Sequence, residues 1–236
     1  MFNILKSLIR YIFNNGTIYS SINLLTYLRF DITAKTLYGR HREKNVEDII
    51  AKKIYSHHLY IWNGYNETIP SKSNESDFID SFNKILDLSK KKANFSNLPR
   101  IYLNHNKQLI NGSHRTASAI IFNKKLKYEI KPDFKGQIDC SSNYFKNKRD
   151  ISKKGIKKSY LDLMALEYSY LKKSVYMLTL YEYCFDHFNF INNLLKQYQI
   201  NIVHEKIVPL TTVGKINYII NLYFNESWIG DKNNNF

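Results

Sequence analysis

Cysteine, arginine and long apolar runs are scarce in this chain of 236 residues. The 2 cysteines, Cys140 and Cys184, have no CxxC spacing, which indicates reduced thiols in a cytosolic protein and excludes a disulfide framework. The apolar stretches stay shorter than the roughly 18 residues that a membrane-spanning helix needs. A content of 44% hydrophobic and 23% charged residues is typical of a globular protein.

Lysine supplies most of the formal charge of +15. Together with abundant Asn, Ile and Tyr, this is what an AT-rich coding sequence gives, so the charge alone proves little. Its distribution is more informative, because residues 124–158 hold 12 Lys/Arg against 4 Asp/Glu, an excess of 8. Such a segment can bind nucleic acid, an anionic glycan or an acidic membrane, or form a solvated surface. Sequence-specific DNA recognition is disfavoured, since the segment has only one arginine, Arg149.

The N-terminal residues 1–14 have an amphipathic pattern interrupted by Lys6 and Arg10, without the small-residue cleavage site of a signal peptide. Packing of this segment on the domain is favoured, since most amphipathic helices cover a core. Weak peripheral contact with the inner membrane is the alternative. We therefore expect a cytoplasmic protein, with the inner membrane surface as an alternative place.

One short segment, Asn111–Arg115 (NGSHR), lies between a strand-like run and a small, apolar helix-like run. The first turn of a helix leaves backbone N–H groups without partners and carries positive dipole charge, so it attracts anions. Gly112 permits a sharp turn, Arg115 offers planar donors for phosphate, and His114 adds a donor whose charge is adjustable near neutral pH. An ordinary Asn-Gly turn is the alternative. We interpret as a phosphate-binding turn the residues Asn111, Gly112, Ser113, His114, Arg115 and Thr116.

The region from about Asp77 to Ile130 resembles the ParB/sulfiredoxin superfamily, in which a strand, a glycine-containing turn and a His-Arg pair open a helix over nucleotide phosphates. Members include chromosome-partition CTPases, sulfiredoxin and free-serine kinases. The resemblance is carried by Ile101-Tyr102-Leu103, the turn His105-Asn106-Lys107, the segment Leu109–Arg115, and the helical spacing of Phe78, Phe82, Ile85 and Leu86.

The resemblance implies that the six turn residues bind ATP or another nucleotide, with Mg²⁺ bridging its phosphates. The small-molecule kinase branch is the better match, because Ser113 stands where sulfiredoxin has its reactive cysteine. A hydroxyl without a paired base does not replace a thiolate in that attack. We predict no metal site made by protein side chains, since the pair His57-His58 has no carboxylate or cysteine at ligand spacing.

A kinase of this kind also needs a carboxylate that orients or deprotonates the acceptor hydroxyl. Glu67 and Asp77 are the upstream candidates. Glu67 is preferred as the catalytic base, together with His114, because neighbouring aromatic residues can desolvate it and shift its pKa toward the working range. A solvated loop carboxylate is the alternative reading of Glu67.

Arg40 and Arg42 follow Gly39, which we expect to end a helix. They are either a second anion site or surface charges.

We expect an α+β protein in four segments. These are N-terminal helices at 1–45, a ParB/sulfiredoxin-like nucleotide-binding α/β domain at 46–135, a basic linker and helix at 136–173, and a βαβα segment at 174–236. Periodicity and capping signals in the first 130 residues predict helices at 2–14, 19–36, 46–60, 74–91 and 113–123, and strands at 100–103, 107–110 and 126–130.

The C-terminal segment is predicted to alternate between strands at 175–180 and 200–208 and helices at 188–197 and 213–223. Two strands make an incomplete parallel sheet, because its faces and edges need partners. We interpret the segment as the end of a shortened product of a longer protein, or as a layer docked on the preceding domain.

The leading functional hypothesis is a nucleotide-binding phosphotransferase, an ATP- or ADP-dependent kinase acting on a small hydroxyl compound such as an amino acid or a sugar. Its setting would be surface-polysaccharide (capsule) metabolism. One alternative is a ParB-type, DNA-associated partition protein that uses residues 124–158, for which binding would weaken steeply with salt. Another is a truncated, non-catalytic member of a glycan-modification system, peripheral to the inner membrane.

Overall fold

The computed structural model describes residues 15–18, 20–44, 49–68, 71–91, 99–147, 158–173 and 188–204. They belong to a compact unit that ends at His204, and a second unit, 205–236, lies outside the described residues. The described part is a mixed α+β unit, as predicted. The predicted helices at 2–14 and 213–223 and the strand at 175–180 are outside it, and the predicted segment boundaries at 45, 135 and 173 fall within the first unit.

A four-stranded sheet has the order β1-β6-β4-β5. Strand β1 (Asn15–Ile18) pairs antiparallel with β6 (Leu126–Ile130), which runs parallel to β4 (Ile101–Leu103); β4 pairs antiparallel with β5 (Leu109–Asn111). The three predicted strands of this region are confirmed to within two residues, whereas β1 occupies a stretch where the sequence predicts none. A separate two-stranded sheet pairs β2 (Glu67–Thr68) with β3 (Ser71–Lys72).

Seven α-helices occur in the described residues: α1 (Asp31–Glu43), α2 (Ile49–Asn63), α3 (Glu75–Lys91), α4 (Ser113–Ile121), α5 (Ser142–Asn147), α6 (Lys158–Lys172) and α7 (Phe188–Gln197). The helix predicted at 188–197 is confirmed with its bounds. The prediction of one helix at 19–36 is wrong, because two short 3₁₀ helices, Ser21–Leu24 and Tyr27–Arg29, come first and α1 begins only at Asp31. Residues 200–204 contain no strand, so the start of the strand predicted at 200–208 is wrong; the rest of it is not described.

Helix α3 shows how the local sequence sets an element. The Asn74 side chain accepts a hydrogen bond from the Asp77 N–H at 3.0 Å, and the Asp77 carboxylate accepts one from the Ser73 N–H at 2.9 Å. These two bonds satisfy N–H groups at the helix start, where acidic residues also suit the helix dipole. Phe78 and Phe82, four residues apart, then face the core. Asp77 therefore has a structural role, which accounts for it without catalysis.

The core lies between the sheet and the helices. Helix α4 packs against β4 and β6, while α1 and α3 pack on α4. Helices α2 and α6 lie against α1, and α5 contacts both of them. The buried residues of the four-stranded sheet are Ile101, Leu103, Leu109 and Leu126. Within the described ranges, every helix is too short or too polar to cross a lipid bilayer.

Candidate functional site

The turn before α4 is built around Gly112, whose backbone is left-handed with φ +104°. A Cβ at this position would lie 2.6 Å from Ile101 Cγ2 and 3.2 Å from Arg115 Nη2. Glycine is needed both for the conformation and for the space that these two side chains occupy. The Gly112 carbonyl accepts hydrogen bonds from the Thr116 N–H at 2.9 Å and the Thr116 hydroxyl at 3.1 Å, which fix the first turn of α4.

The backbone N–H groups of Ser113, His114 and Arg115 have no hydrogen-bond partner among the described residues. Such groups at the start of a helix bind anions. We refer to Gly112, Ser113, His114 and Arg115 as the α4 N-terminal site. Of the other residues predicted to bind the nucleotide, Asn111 is exposed at the end of β5, and Thr116 is fully buried with its hydroxyl bonded inside the turn.

The Arg115 guanidinium is divided between two roles. Its Nη1 donates to the carbonyl oxygens of Pro99 at 2.8 Å and Arg100 at 2.6 Å, which ties the start of α4 to the start of β4. Burial lowers the pKa of Arg115, which is still charged at neutral pH. Its Nη2 lies beside Gly112 and has no hydrogen-bond acceptor in the described part of the chain. One side of the guanidinium thus holds the backbone, and the other remains for an anion.

The His114 ring points into an aromatic environment. Its Nε2 lies 2.8 Å from the Tyr55 hydroxyl oxygen, and the ring centroid lies 4.8 Å from that of Phe82. Burial, followed by the nearby cations Lys35 and Lys72, holds the pKa of His114 well below its usual value. His114 is therefore neutral at pH 7. The expectation that its charge adjusts near neutral pH is wrong, because partial burial of the residue and the nearby cations disfavour the protonated ring.

Glu67 is not an isolated carboxylate. It forms an ion pair with Lys72, its register partner in the β2–β3 sheet. The Lys72 ammonium also lies 4.6 Å from the Phe78 ring centroid. Burial raises the pKa of Tyr55, and the Glu67 charge raises it further. The Glu67 charge thus acts on Tyr55 and the Lys72 charge on His114, whereas the sequence predicts only aromatic neighbours for Glu67.

The Asp31 cluster, made of Arg29, Asp31, Lys35 and His58, is a buried polar network that sequence reasoning missed. Arg29 Nε and Nη2 donate to the two Asp31 carboxylate oxygens at 2.9 and 3.0 Å, and Lys35 Nζ donates at 2.7 Å. Lys35 Nζ also lies 3.0 Å from His58 Nε2. Burial lowers the pKa of His58 to about 3, so this ring is neutral and accepts from Lys35.

This cluster positions the strand that leads to the α4 N-terminal site. Arg29 Nη1 donates to the Leu109 carbonyl oxygen at 2.7 Å, at the first residue of β5. His58 Nδ1 lies 2.7 Å from the carbonyl oxygen of Tyr55, the residue whose hydroxyl contacts His114. The only sequence signal for the network is the presence of charged residues in a helical pattern that also contains Ile32 and Ala34, both fully buried.

A second missed arrangement joins Ser142, His204 and Asp162. Ser142 Oγ lies 2.7 Å from His204 Nδ1, and His204 Nε2 lies 3.0 Å from an Asp162 carboxylate oxygen. These residue types form catalytic triads in hydrolases. Ser142 is only 3% exposed and Asp162 only 2%, so a substrate does not reach the hydroxyl. The arrangement instead ties α5 and α6 to the chain that follows α7.

The guanidinium groups proposed as a second anion site are paired with carboxylates. Arg40 Nη1 lies 2.8 Å from Glu167, and Arg42 Nη2 lies 2.9 Å from Asp87. Gly39 lies inside α1, so the expectation that it ends a helix is wrong. These ion pairs link α1 to α6 and α3, which favours the reading of both arginines as surface charges.

Two further predictions concern thiols and metals. Cys140 is buried and free, and burial raises its pKa well above the usual value, which makes an inert thiol; Cys184 lies outside the described residues. In the described part of the chain, no three His, Cys, Asp or Glu side chains are grouped as a metal ion would require.

Comparisons of the chain with protein-family models, with curated proteins and with solved structures give no match. The sheet, the helices and the geometry around α4 define a mixed α+β protein in which a left-handed glycine leads directly from a strand into a helix.

Proposed function

We propose that this chain is a nucleotide-binding phosphotransferase of the ParB/sulfiredoxin-like fold, which transfers a phosphoryl group to a hydroxyl of a small compound, an amino acid or a sugar. The observation that carries the proposal is the α4 N-terminal site. There, Arg115 Nη2 lies beside a left-handed Gly112 and next to three helix N–H groups without described partners. Backbone and side-chain donors thus meet at one place, as phosphate binding requires.

The order of elements supports the fold part of the proposal. Helix α3 precedes the antiparallel pair β4 and β5, and the left-handed glycine then leads directly into α4. Strand β6 follows and pairs in parallel with β4. This is the strand, turn and helix sequence on which the resemblance to the superfamily depends.

The residues present fit a phosphate group. The N–H groups of Ser113, His114 and Arg115 would hold its oxygens, while Arg115 Nη2 would add a charge-assisted hydrogen bond. When bound, the nucleotide supplies the phosphoryl group, and Mg²⁺ screens the charge of its phosphates. We assign no protein ligand to the ion. Neutral His114, a residue of the site, can take up the acceptor proton, and the carboxylate of Glu67 is the second candidate.

Isothermal titration calorimetry with ATP, ADP and CTP, each with and without Mg²⁺, tests the proposal. We expect Arg115→Ala to weaken nucleotide binding by about tenfold or more, because a charge-assisted contact is worth roughly 1.5–3 kcal/mol. Arg115→Lys should restore only part of the affinity, since lysine lacks the planar set of donors. Arg42→Ala is the matched control, because Arg42 is paired with Asp87 and is not a residue of the α4 N-terminal site.

Thermal melts of each variant separate lost binding from lost folding, because Arg115 also holds the Pro99 and Arg100 carbonyl groups. Absence of binding of all three nucleotides to the wild-type protein would contradict the proposal. If a nucleotide binds, a screen of amino acids and sugars for labelled phosphate transfer identifies the acceptor. DNA binding that weakens steeply with salt, without nucleotide binding, would favour a DNA-associated protein instead.

A further inference from the structure

The two ring nitrogens of His114 have different surroundings. Nε2 lies 2.8 Å from the hydroxyl oxygen of Tyr55, a fully buried residue. Nδ1 has no hydrogen-bond partner among the described residues. Nδ1 is also not one of the fully buried side-chain atoms that lack a partner in that part of the chain, so it keeps some access to solvent. Nδ1 is therefore the nitrogen that a bound substrate can contact.

The Tyr55 hydroxyl has one proton and two neighbours. Besides His114, it lies 3.3 Å from the Phe78 carbonyl oxygen, which can only accept a hydrogen bond. Both contacts are hydrogen bonds if His114 Nε2–H donates to the Tyr55 oxygen and the Tyr55 O–H donates to Phe78. In the reverse arrangement, Tyr55 donates to Nε2 and the contact with Phe78 has no proton. Since a buried polar contact without a proton is costly, the first arrangement is preferred.

We infer that Tyr55 is a positioning residue that holds His114 in the Nε2–H tautomer, so that the Nδ1 lone pair accepts the proton of the substrate hydroxyl. This inference rests on the proposed function. It assigns the base to His114 and leaves Glu67 as the ion-pair partner of Lys72.

The chemistry balances with the groups named. The acceptor oxygen forms a bond to the terminal phosphorus of the nucleotide, while the bond from that phosphorus to the bridging oxygen breaks. The hydroxyl proton moves to His114 Nδ1 and later to water. A neutral histidine is ready to accept it at pH 7, which an imidazolium is not.

The charged and titratable groups around His114 come from several elements. Lys35 on α1, His58 on α2 and Lys72 on β3 disfavour its protonation, while Asp31 on α1 favours it. The Tyr55 phenol stays protonated, because burial raises its pKa. With Tyr55 neutral and oriented, the tautomer of His114 is set by one hydrogen bond, which makes it open to a direct test.

Two-bond ¹H–¹⁵N correlation spectra of the ¹⁵N-labelled full chain report the tautomer of His114. We expect the Nε2–H form in the wild-type protein and a mixture with the Nδ1–H form in Tyr55→Phe. Tyr38→Phe is the matched control. Its ring stacks on Tyr55 at 4.9 Å, but its hydroxyl donates to Asn83 at 2.9 Å, so the tautomer should not change. An Nδ1–H tautomer in the wild-type protein, or an unchanged spectrum in Tyr55→Phe, would overturn the inference.

Kinetics then separate this inference from the proposed function. Tyr55→Phe should lower kcat by about tenfold or more and change its pH profile, while the KM for the nucleotide stays unchanged. His114→Ala removes the base itself and should lower kcat by about 10²–10⁴-fold. Tyr38→Phe should alter neither kcat nor the pH profile. If transfer occurs and Tyr55→Phe leaves kcat and the pH profile intact, the positioning role is rejected and the proposed function stands. If no nucleotide binds, the proposed function and the role of His114 as base are both rejected, whatever the tautomer.

Discussion

Gly39 of α1 lies directly against Ile121 of α4. A Cβ at residue 39 would come within 2.6 Å of Ile121 Cδ1 and 3.2 Å of a Leu86 methyl group. The glycine therefore allows two helices to approach closely, and α4, which begins at the candidate site, is one of them. A residue that looks like a helix end in the sequence is a packing position in the structure.

This contact predicts that Gly39→Val destabilises the protein. Overfilling a packed interface costs about 1–3 kcal/mol, and valine gains little helix propensity over glycine. Urea unfolding measures the change in the free energy of unfolding. In the double variant with Ile121→Ala, the cost of Gly39→Val should shrink, because the clashing side chain is absent. Additive effects of the two substitutions would contradict the contact.

The Asp31 cluster predicts a large loss of stability in Asp31→Asn. The substitution leaves Arg29 and Lys35, which are both buried, without their shared carboxylate. Removing one partner of a buried ionic network typically costs about 3–5 kcal/mol. Lys90→Met is the control for an exposed ion pair, since Lys90 pairs with Glu43 but its side chain is 62% exposed, and its effect should be about 0–1 kcal/mol. Equal effects of the two substitutions in guanidinium unfolding would refute the importance of the cluster.

The two neutral histidines predict a pH dependence of stability. Burial lowers the pKa of His58 to about 3 and that of His114 well below its usual value. Below about pH 6.5 the unfolded chain binds protons at both rings while the folded chain does not, so the free energy of unfolding falls as the pH falls. Each neutral ring lowers the free energy of unfolding by about 1.4 kcal/mol for each pH unit below about pH 6.5. Above that pH its stabilising contribution no longer changes.

Urea unfolding between about pH 7 and about pH 5 tests this dependence and largely avoids the titration of ordinary carboxyl groups. His58→Gln should reduce the slope of the free energy of unfolding against pH by roughly the contribution of one ring, whatever its effect on stability at pH 7. His105→Gln, in an exposed turn, is the control for the replacement of a histidine outside the core. A slope that His58→Gln leaves unchanged would mean that His58 titrates normally in the folded protein.

The Ser142–His204–Asp162 arrangement predicts a structural effect of His204→Ala. The imidazole lies between two nearly buried side chains, and its removal takes away both hydrogen bonds to it. We expect the free energy of unfolding to fall by about 1–3 kcal/mol. The control is His105→Ala. If nucleophile-directed fluorophosphonate probes label Ser142 in the folded protein, the arrangement is accessible and the structural interpretation is wrong.

Local signals in the sequence determined several elements of this protein. The Asn74 and Asp77 caps with the spacing of Phe78 and Phe82 predicted α3, and the strand-glycine-helix pattern around Gly112 predicted β5 and α4. These signals succeed because caps, turns and amphipathic spacing depend on residues close together in the chain. The resemblance to a nucleotide-binding superfamily stays a prediction based on the same local pattern.

Contacts between distant residues decided the rest. The pairing of β1 with β6, the approach of α1 to α4 at Gly39, and the neutral state of His114 depend on residues far apart in sequence. The hydrogen bond between Tyr55 and His114 spans 59 positions, and that between Arg29 and the Leu109 carbonyl spans 80. Burial and neighbouring charge set a pKa and a tautomer, and the chain acquires both only when these segments pack together. The sequence by itself determined the strand, glycine turn and helix that carry the candidate site, and the tertiary structure decided the surroundings of the two ring nitrogens of His114.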